Sequence, residues 1–211
     1  MAPQPSKPAD PRLAALLARE TRPERVAFLV EAFKAGPYST ELARSLLESR
    51  PGLDPATLDP ILLAWRTNQR INVRLLRQIS PEGLRDTLSS RGGRSVSRQF
   101  AHLHNVRIWH LESRAKALAK GAHKFETRDE PGSAELIATL EDSAGRIEEL
   151  FTRAAEGVKG VRLPKRGAVQ FLAYFVAHES HHRGNILLTL KQCGHAVSQE
   201  ERYAIWDWDR I

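Results

Sequence analysis

Apolar residues recur at intervals of three and four along most of this chain, and no segment sustains the period-two alternation of a half-buried strand. Four long segments carry the helical spacing. The first opens at Pro60, where Asp59 is a capping acceptor before a proline at the first helical position, and it presents Ile61, Leu62, Trp65, Leu76 and Ile79 on one side. Asn68 and Asn72 interrupt that stripe, and Ser80-Pro81 ends it. After a loop at Arg91-Gly92-Gly93, further helices are expected over about 95–120, 133–156 and 167–193, the last closed by Gly194 as a C-terminal glycine. The expected fold is all-α, a four-helix bundle with an N-terminal helical extension.

The extension covers residues 1–53. Residues 1–11, rich in proline and charge, read as a disordered tail. Leu13, Leu16, Leu17, Val26, Leu29, Val30 and Phe33 then mark one helix, stopped at Gly36-Pro37, and Leu42, Leu46 and Leu47 mark a second that ends near Pro51-Gly52. Nothing in these helices carries chemistry, and a lid or a homodimer interface is the use expected for them. The bundle is expected over 54–196, and 197–211 as a C-terminal tail.

Composition narrows the function classes. No apolar run approaches the roughly 20 residues needed to span a bilayer. The first twelve residues hold four prolines and no apolar stretch, unlike a signal peptide. Cys193 is the only cysteine, so an internal disulfide and a cysteine-rich zinc site are excluded. A cytoplasmic location is the expectation. The net charge of +7 comes almost wholly from residues 56–130, where 14 basic side chains face 7 acidic ones. Such a surplus suits nucleic acid, a small anion or plain solvation. The Arg70, Arg74 and Arg77 stripe is expected to be a solvated face.

Candidate chemistry lies in the histidines. His178-Glu179-Ser180-His181-His182 falls on the most apolar helix, and residues four apart share a helix face, so His178 and His182 can aim ring nitrogens at one point. Phe171, Phe175, Ile186 and Thr189 lie on that side, whereas His181 points away. On the second long helix His102 groups with Val106 and Trp109, while His104 falls nearly opposite and is expected in solvent. His110 sits at the edge of the His102 face and is expected to line a pocket with Trp109. Three histidines from two helices leave coordination positions open, as in a catalytic rather than a structural zinc site. Buried histidines bonded to backbone are the competing account. Glu179 is a candidate to orient a neighbouring imidazole, an exposed glutamate being the alternative. Cys193, past the histidines at a helix end, is expected to be inert.

The segment His178-Glu-Ser-His-His182-Arg183-Gly184-Asn185-Ile186 resembles the closing motif of the DinB/YfiT-like superfamily, H-x-x-x-H-R-G-Q-I, with Asn185 where that family usually has Gln. Ser97-Arg-Gln-Phe-Ala-His102-Leu is similar to its earlier ligand helix, and Trp65-Arg-Thr-Asn68-Gln-Arg70 to its first-helix pattern. The likeness spans about residues 55–195; residues 1–53 have no counterpart in the minimal bundle. It implies a DinB-type bundle holding a divalent metal, zinc or nickel, through His102, His178 and His182. It also implies a transferase that joins a low-molecular-weight thiol such as bacillithiol to an electrophile in stress or detoxification, or a thiol-dependent isomerase. A non-catalytic metal-binding or scaffold protein is the alternative function, and a nucleic-acid-associated damage-response protein a more distant one.

Overall fold

The computed structural model describes residues 55–91 and 93–211. The two N-terminal helices and the proline-rich tail expected from the sequence lie outside the described residues. Six α-helices and one 3-10 turn make up the regular structure of the described residues: α1 (Pro55–Arg77), the turn Gly83–Arg85, α2 (Val96–Arg114), α3 (Lys116–Ala119), α4 (Ser133–Ala155), α5 (Ala168–Cys193) and α6 (Gln199–Ala204). The expected start at Pro60 is corrected to Pro55; Pro60 lies inside the second turn of α1. Proline is tolerated so near a helix start because few intrahelical bonds precede it.

Four helices form the bundle, with α1 and α2 each packing on both α4 and α5. Residue pairings give their directions. Trp65 and Asn72 of α1 meet Phe175 and Arg183 of α5, so those helices run parallel. His102 faces His182 while His110 faces Phe171, so α2 runs antiparallel to α5. His104 meets Thr139 while Arg107 meets Ser143, so α4 runs parallel to α2, and their connection must cross the length of the bundle.

That crossover, residues 115–132, travels back along α2 and is pinned to it at several levels. Asn105 exchanges two hydrogen bonds with the backbone of Phe125, at 2.8 and 3.0 Å. Nearer the start of α2, Ser97 Oγ donates to the carbonyl of Pro131 at 2.7 Å. Ser95 caps α2 by accepting from the Arg98 amide, and Gly194 ends α5 in the left-handed region at φ 89°. The residues expected as a C-terminal tail carry α6, with Val197 and Ile205 buried on either side of it and Glu201 paired to Arg74 at 2.7 Å.

The core is split. One apolar half gathers Trp65, Ile108, Leu111, Ile147, Phe151, Phe171 and Phe175; the other gathers Leu76, Phe100, Leu103, Leu136, Leu140, Ile186 and Leu190. Between them lies a buried polar layer. Arg107 grips the Glu179 carboxylate with two bonds, Nε to Oε1 at 2.8 Å and Nη2 to Oε2 at 3.0 Å, and both side chains are essentially inaccessible. Asn68 and Asn72 donate to Oε2 of the same carboxylate, and their own carbonyl oxygens accept from Arg183. The asparagines that break the apolar stripe of α1 are thus relays between one acid and a second arginine. Burying three charges is costly unless they are paired or hydrogen-bonded; Arg107 and Glu179 form the ion pair, and Arg183 is held by hydrogen bonds to Asn68, Asn72 and Ser180.

Candidate metal centre

His102 from α2 and His178 and His182 from α5 converge on the seam between the two helices. Their ligand nitrogens all lie within 4.8 Å of one another, close enough for one ion to be shared. The ring centroids stand 4.8 to 5.3 Å apart, each pair edge to face. Antiparallel packing explains the convergence: one step on α2 meets two consecutive turns of α5. His102 and His178 are half-buried and His182 is buried, so the group opens at the surface rather than inside the core.

The surroundings suit a cation held by neutral donors. Burial is the main cause that pushes His102 and His182 from 6.5 down to about 4; Arg94 adds to it at His102, and the other two histidines of the centre at His182. Burial lowers His178 as well. All three rings are therefore neutral, with lone pairs available, at neutral pH. The Nδ1 atom of His178 is buried and has no hydrogen-bond partner, an unmet polar atom that coordination would satisfy. Gln99 places Oε1 3.5 Å from Nδ1 of His182, at the long limit of a hydrogen bond, which turns the opposite ring nitrogen towards its neighbours. The donor set fits a divalent ion.

Other sequence expectations fare differently. His104 is not in solvent: it is fully buried, and its two ring nitrogens stand 2.8 Å from the carbonyls of Thr139 on α4 and His123 on the crossover. Trp109 is not inward-facing but 59% exposed. One cause underlies both. The core face of α2 runs through Phe100, Leu103, Arg107, Ile108 and Leu111, and His102, Val106 and Trp109 follow the rim instead. Apolar residues are spread round this helix, so the sequence sets its rotation poorly.

Glu179 is buried, yet its carboxylate is engaged by Arg107, Asn68 and Asn72 and meets no imidazole; Gln99 occupies the supporting place at His182. His110 is buried in a box of Phe171, Tyr174, Phe175 and Trp109, and neither ring nitrogen has a partner. Tyr174 in turn stacks nearly parallel on His178, at 5.8 Å and 8°. His181 is exposed, as expected. Cys193 is half-buried, its Sγ 3.9 Å from the Thr87 carbonyl.

Among the described residues, one cavity lies on α1 and another on α5. The larger, about 750 Å³, lies along α1 and α4 beside Arg66, Arg70, Arg74 and Arg77 and includes none of the three histidines. The smaller, about 360 Å³, borders the centre itself, with Arg94, Gln99, His181, His182 and Asn185 in its wall.

Sequence reasoning passed over Arg107, Arg183, Gln99 and Arg94. A signal existed for the first two. Arg107 stands four residues from both Leu103 and Leu111, and Arg183 falls between Glu179 and Ile186 on the core stripe of α5. A charge in register with core leucines needs a buried partner. No local pattern marks Gln99 or Arg94, whose place depends on the fold of the loop before α2.

An antiparallel seam carrying three imidazoles, inside a crossover four-helix bundle, defines a helical-bundle protein with a three-histidine group that could hold a metal ion. The model of the DinB family matches residues 55–208, and the chain belongs to that family. No curated protein and no solved structure matches it.

Proposed function

We propose that this protein binds one divalent ion, zinc or nickel, at His102, His178 and His182 and transfers a low-molecular-weight thiol to an electrophilic substrate. A single observation carries the reading: three neutral nitrogen donors converge beside an open cavity, with the acid nearest in sequence, Glu179, tied up in the core. Such a site offers no protein nucleophile, so the nucleophile must come from a co-substrate. A bound divalent ion supplies Lewis-acid stabilisation of a thiolate, the reactive form of a thiol.

The chain's own residues do the rest. The three imidazoles, neutral through burial, hold their lone pairs outward and leave coordination positions open. Gln99 keeps His182 turned to the centre. The exposed face of Trp109 and the ring of Tyr174 offer apolar surface for the electrophile, and His110 braces both from beneath at 4.8 and 5.0 Å. The sulfur–carbon bond would form from the thiolate electron pair as the bond from that carbon to the leaving group breaks, the leaving group departing with the bonding pair and the thiol proton having passed to solvent. Detoxification or stress response in the cytoplasm is the role this chemistry suits, and homodimerisation belongs to the same reading.

Elemental analysis of purified protein should find about one metal per chain. In a cobalt-substituted sample, a small thiol should bring up a sulfur-to-metal charge-transfer band that grows with pH as thiolate forms. A cobalt spectrum indifferent to thiols at every pH would show the centre closed, and a structural metal site would replace the transferase.

A further inference from the structure

We propose that the smaller cavity is a carboxylate-binding subsite, in which Arg94 anchors an oxyanion carried by a small molecule bound beside the three histidines. The inference rests on the metal-centre reading and adds the charge type of the ligand.

Three observations carry it. First, no Asp or Glu lines the cavity. Its polar wall includes Arg94, Gln99, His181, Asn185, Ser89 and the edge of His182, a set rich in hydrogen-bond donors. Second, Arg94 is exposed and forms no ion pair among the described residues, unlike Arg66, Arg74, Arg98 and Arg107, each of which meets an acid. Third, the cavity wall that carries Arg94 also carries His182 and its neighbour Gln99, so a ligand held by the arginine lies beside the three-histidine centre.

Charge balance then names the ligand. Three neutral imidazoles contribute nothing against a divalent cation, and Arg94 adds a further positive charge at the mouth of the same cavity. The Glu179 carboxylate is already shared by Arg107 and, through the asparagines, Arg183. The negative charge that compensates ion and arginine must therefore arrive with the ligand. A thiolate supplies one unit, and a carboxylate a few bonds away supplies another while taking the paired N–H donors of a guanidinium. The carboxylate can sit on the thiol or on the electrophile, and the two sources give different results below.

The test uses the full chain and two variants, Arg94→Gln and Arg91→Gln, the second removing an exposed neighbour outside the cavity. Succinate, which has no sulfur, is titrated into metal-free protein and followed by NMR at low salt. Loss of one charge-assisted interaction should weaken succinate about tenfold in Arg94→Gln and leave Arg91→Gln like the parent. Equal succinate affinity in parent and Arg94→Gln, or no succinate binding to the parent, overturns the subsite.

In a second arm, mercaptosuccinate and 2-mercaptoethanol are titrated into the cobalt-substituted protein. A preference for mercaptosuccinate that Arg94→Gln abolishes places the carboxylate on the thiol. Equal affinities, with the succinate result standing, support the subsite and place the carboxylate on the electrophile. If neither thiol alters the spectrum while succinate still depends on Arg94, the thiol reading falls and the oxyanion subsite survives. The converse, thiol binding without any Arg94-dependent succinate site, overturns the subsite alone.

Discussion

His104 and His178 show how the same side chain serves opposite ends within one bundle. His104 bridges α4 and the crossover through backbone carbonyls. A neutral ring has one N–H, so it donates to one carbonyl and only faces the other. His104→Ala should lower stability by about 2–4 kcal/mol, through the cavity and a carbonyl stripped of its donor, and should leave metal content per folded chain intact. His178→Ala or His182→Ala should do the reverse, abolishing stoichiometric metal with little change in the urea midpoint of the metal-free protein. Equal metal loss in the His104 variant would show that the donor set is misassigned. His110 adds a pH dependence. Burial chiefly, then Arg114, pushes it from 6.5 down to about 4. As pH falls below 6.5 the unfolded chain takes the proton first, so stability is full above that value and declines towards about pH 4. In metal-free protein His102 and His182 act in the same direction. His110→Phe should therefore flatten the fall in urea midpoint between pH 7.5 and 5, and an unchanged slope would refute the assignment.

At the scale of elements, α1, α2 and α5 are locked by the polar layer more specifically than by their apolar contacts. Leucines tolerate rotation and sliding, whereas a carboxylate held by Arg107, Asn68 and Asn72 accepts one register. That register sets His102 opposite His178 and His182, since Arg107 and Glu179 lie on the same two helices as the imidazoles. Glu179→Gln would leave Arg107 and Arg183 without their counter-charge, at a cost of about 3–5 kcal/mol in urea unfolding. A loss below about 1 kcal/mol would mean that the layer relaxes easily and does not fix the register. Its pH behaviour follows the same logic. The Glu179 carboxyl, although buried, is held below the ordinary 4.5 chiefly by Arg107. Its contribution is present above pH 4.5 and is lost as pH falls through the lowered value.

For the whole molecule the charge of +7 is less available than its size suggests. Within the basic stretch 56–130, Arg107 is buried against Glu179, and Arg66 and Arg74 pair with acids from α4 and α6. Duplex DNA should bind weakly and without sequence preference at physiological salt, with log K falling linearly as log salt rises. Submicromolar, sequence-selective affinity under those conditions would restore the nucleic-acid reading. Among the described residues no helix is long and apolar enough to cross a membrane.

The sequence by itself determined the all-α class, the four long helices and the three histidines of the centre. Those depend on local quantities: period 3.6 along α1, α4 and α5, Ser and Gly at helix ends, and the fixed i, i+4 geometry of His178 and His182. The histidine on α2 was legible because its motif was, not because its helix face was. What neighbours α2, and hence whether His104 is buried and Trp109 exposed, is decided by the crossover that runs back along it. That segment has no periodicity to read, and its course follows from α4 packing parallel to α2. The buried charges were likewise only half legible. Asn68, Asn72, Arg107, Glu179 and Arg183 come from three helices, and each alone looks like a surface residue in an unlucky register. Only when the helices meet do the five satisfy one another, because desolvation makes a buried charge intolerable alone and tolerable in a complete network.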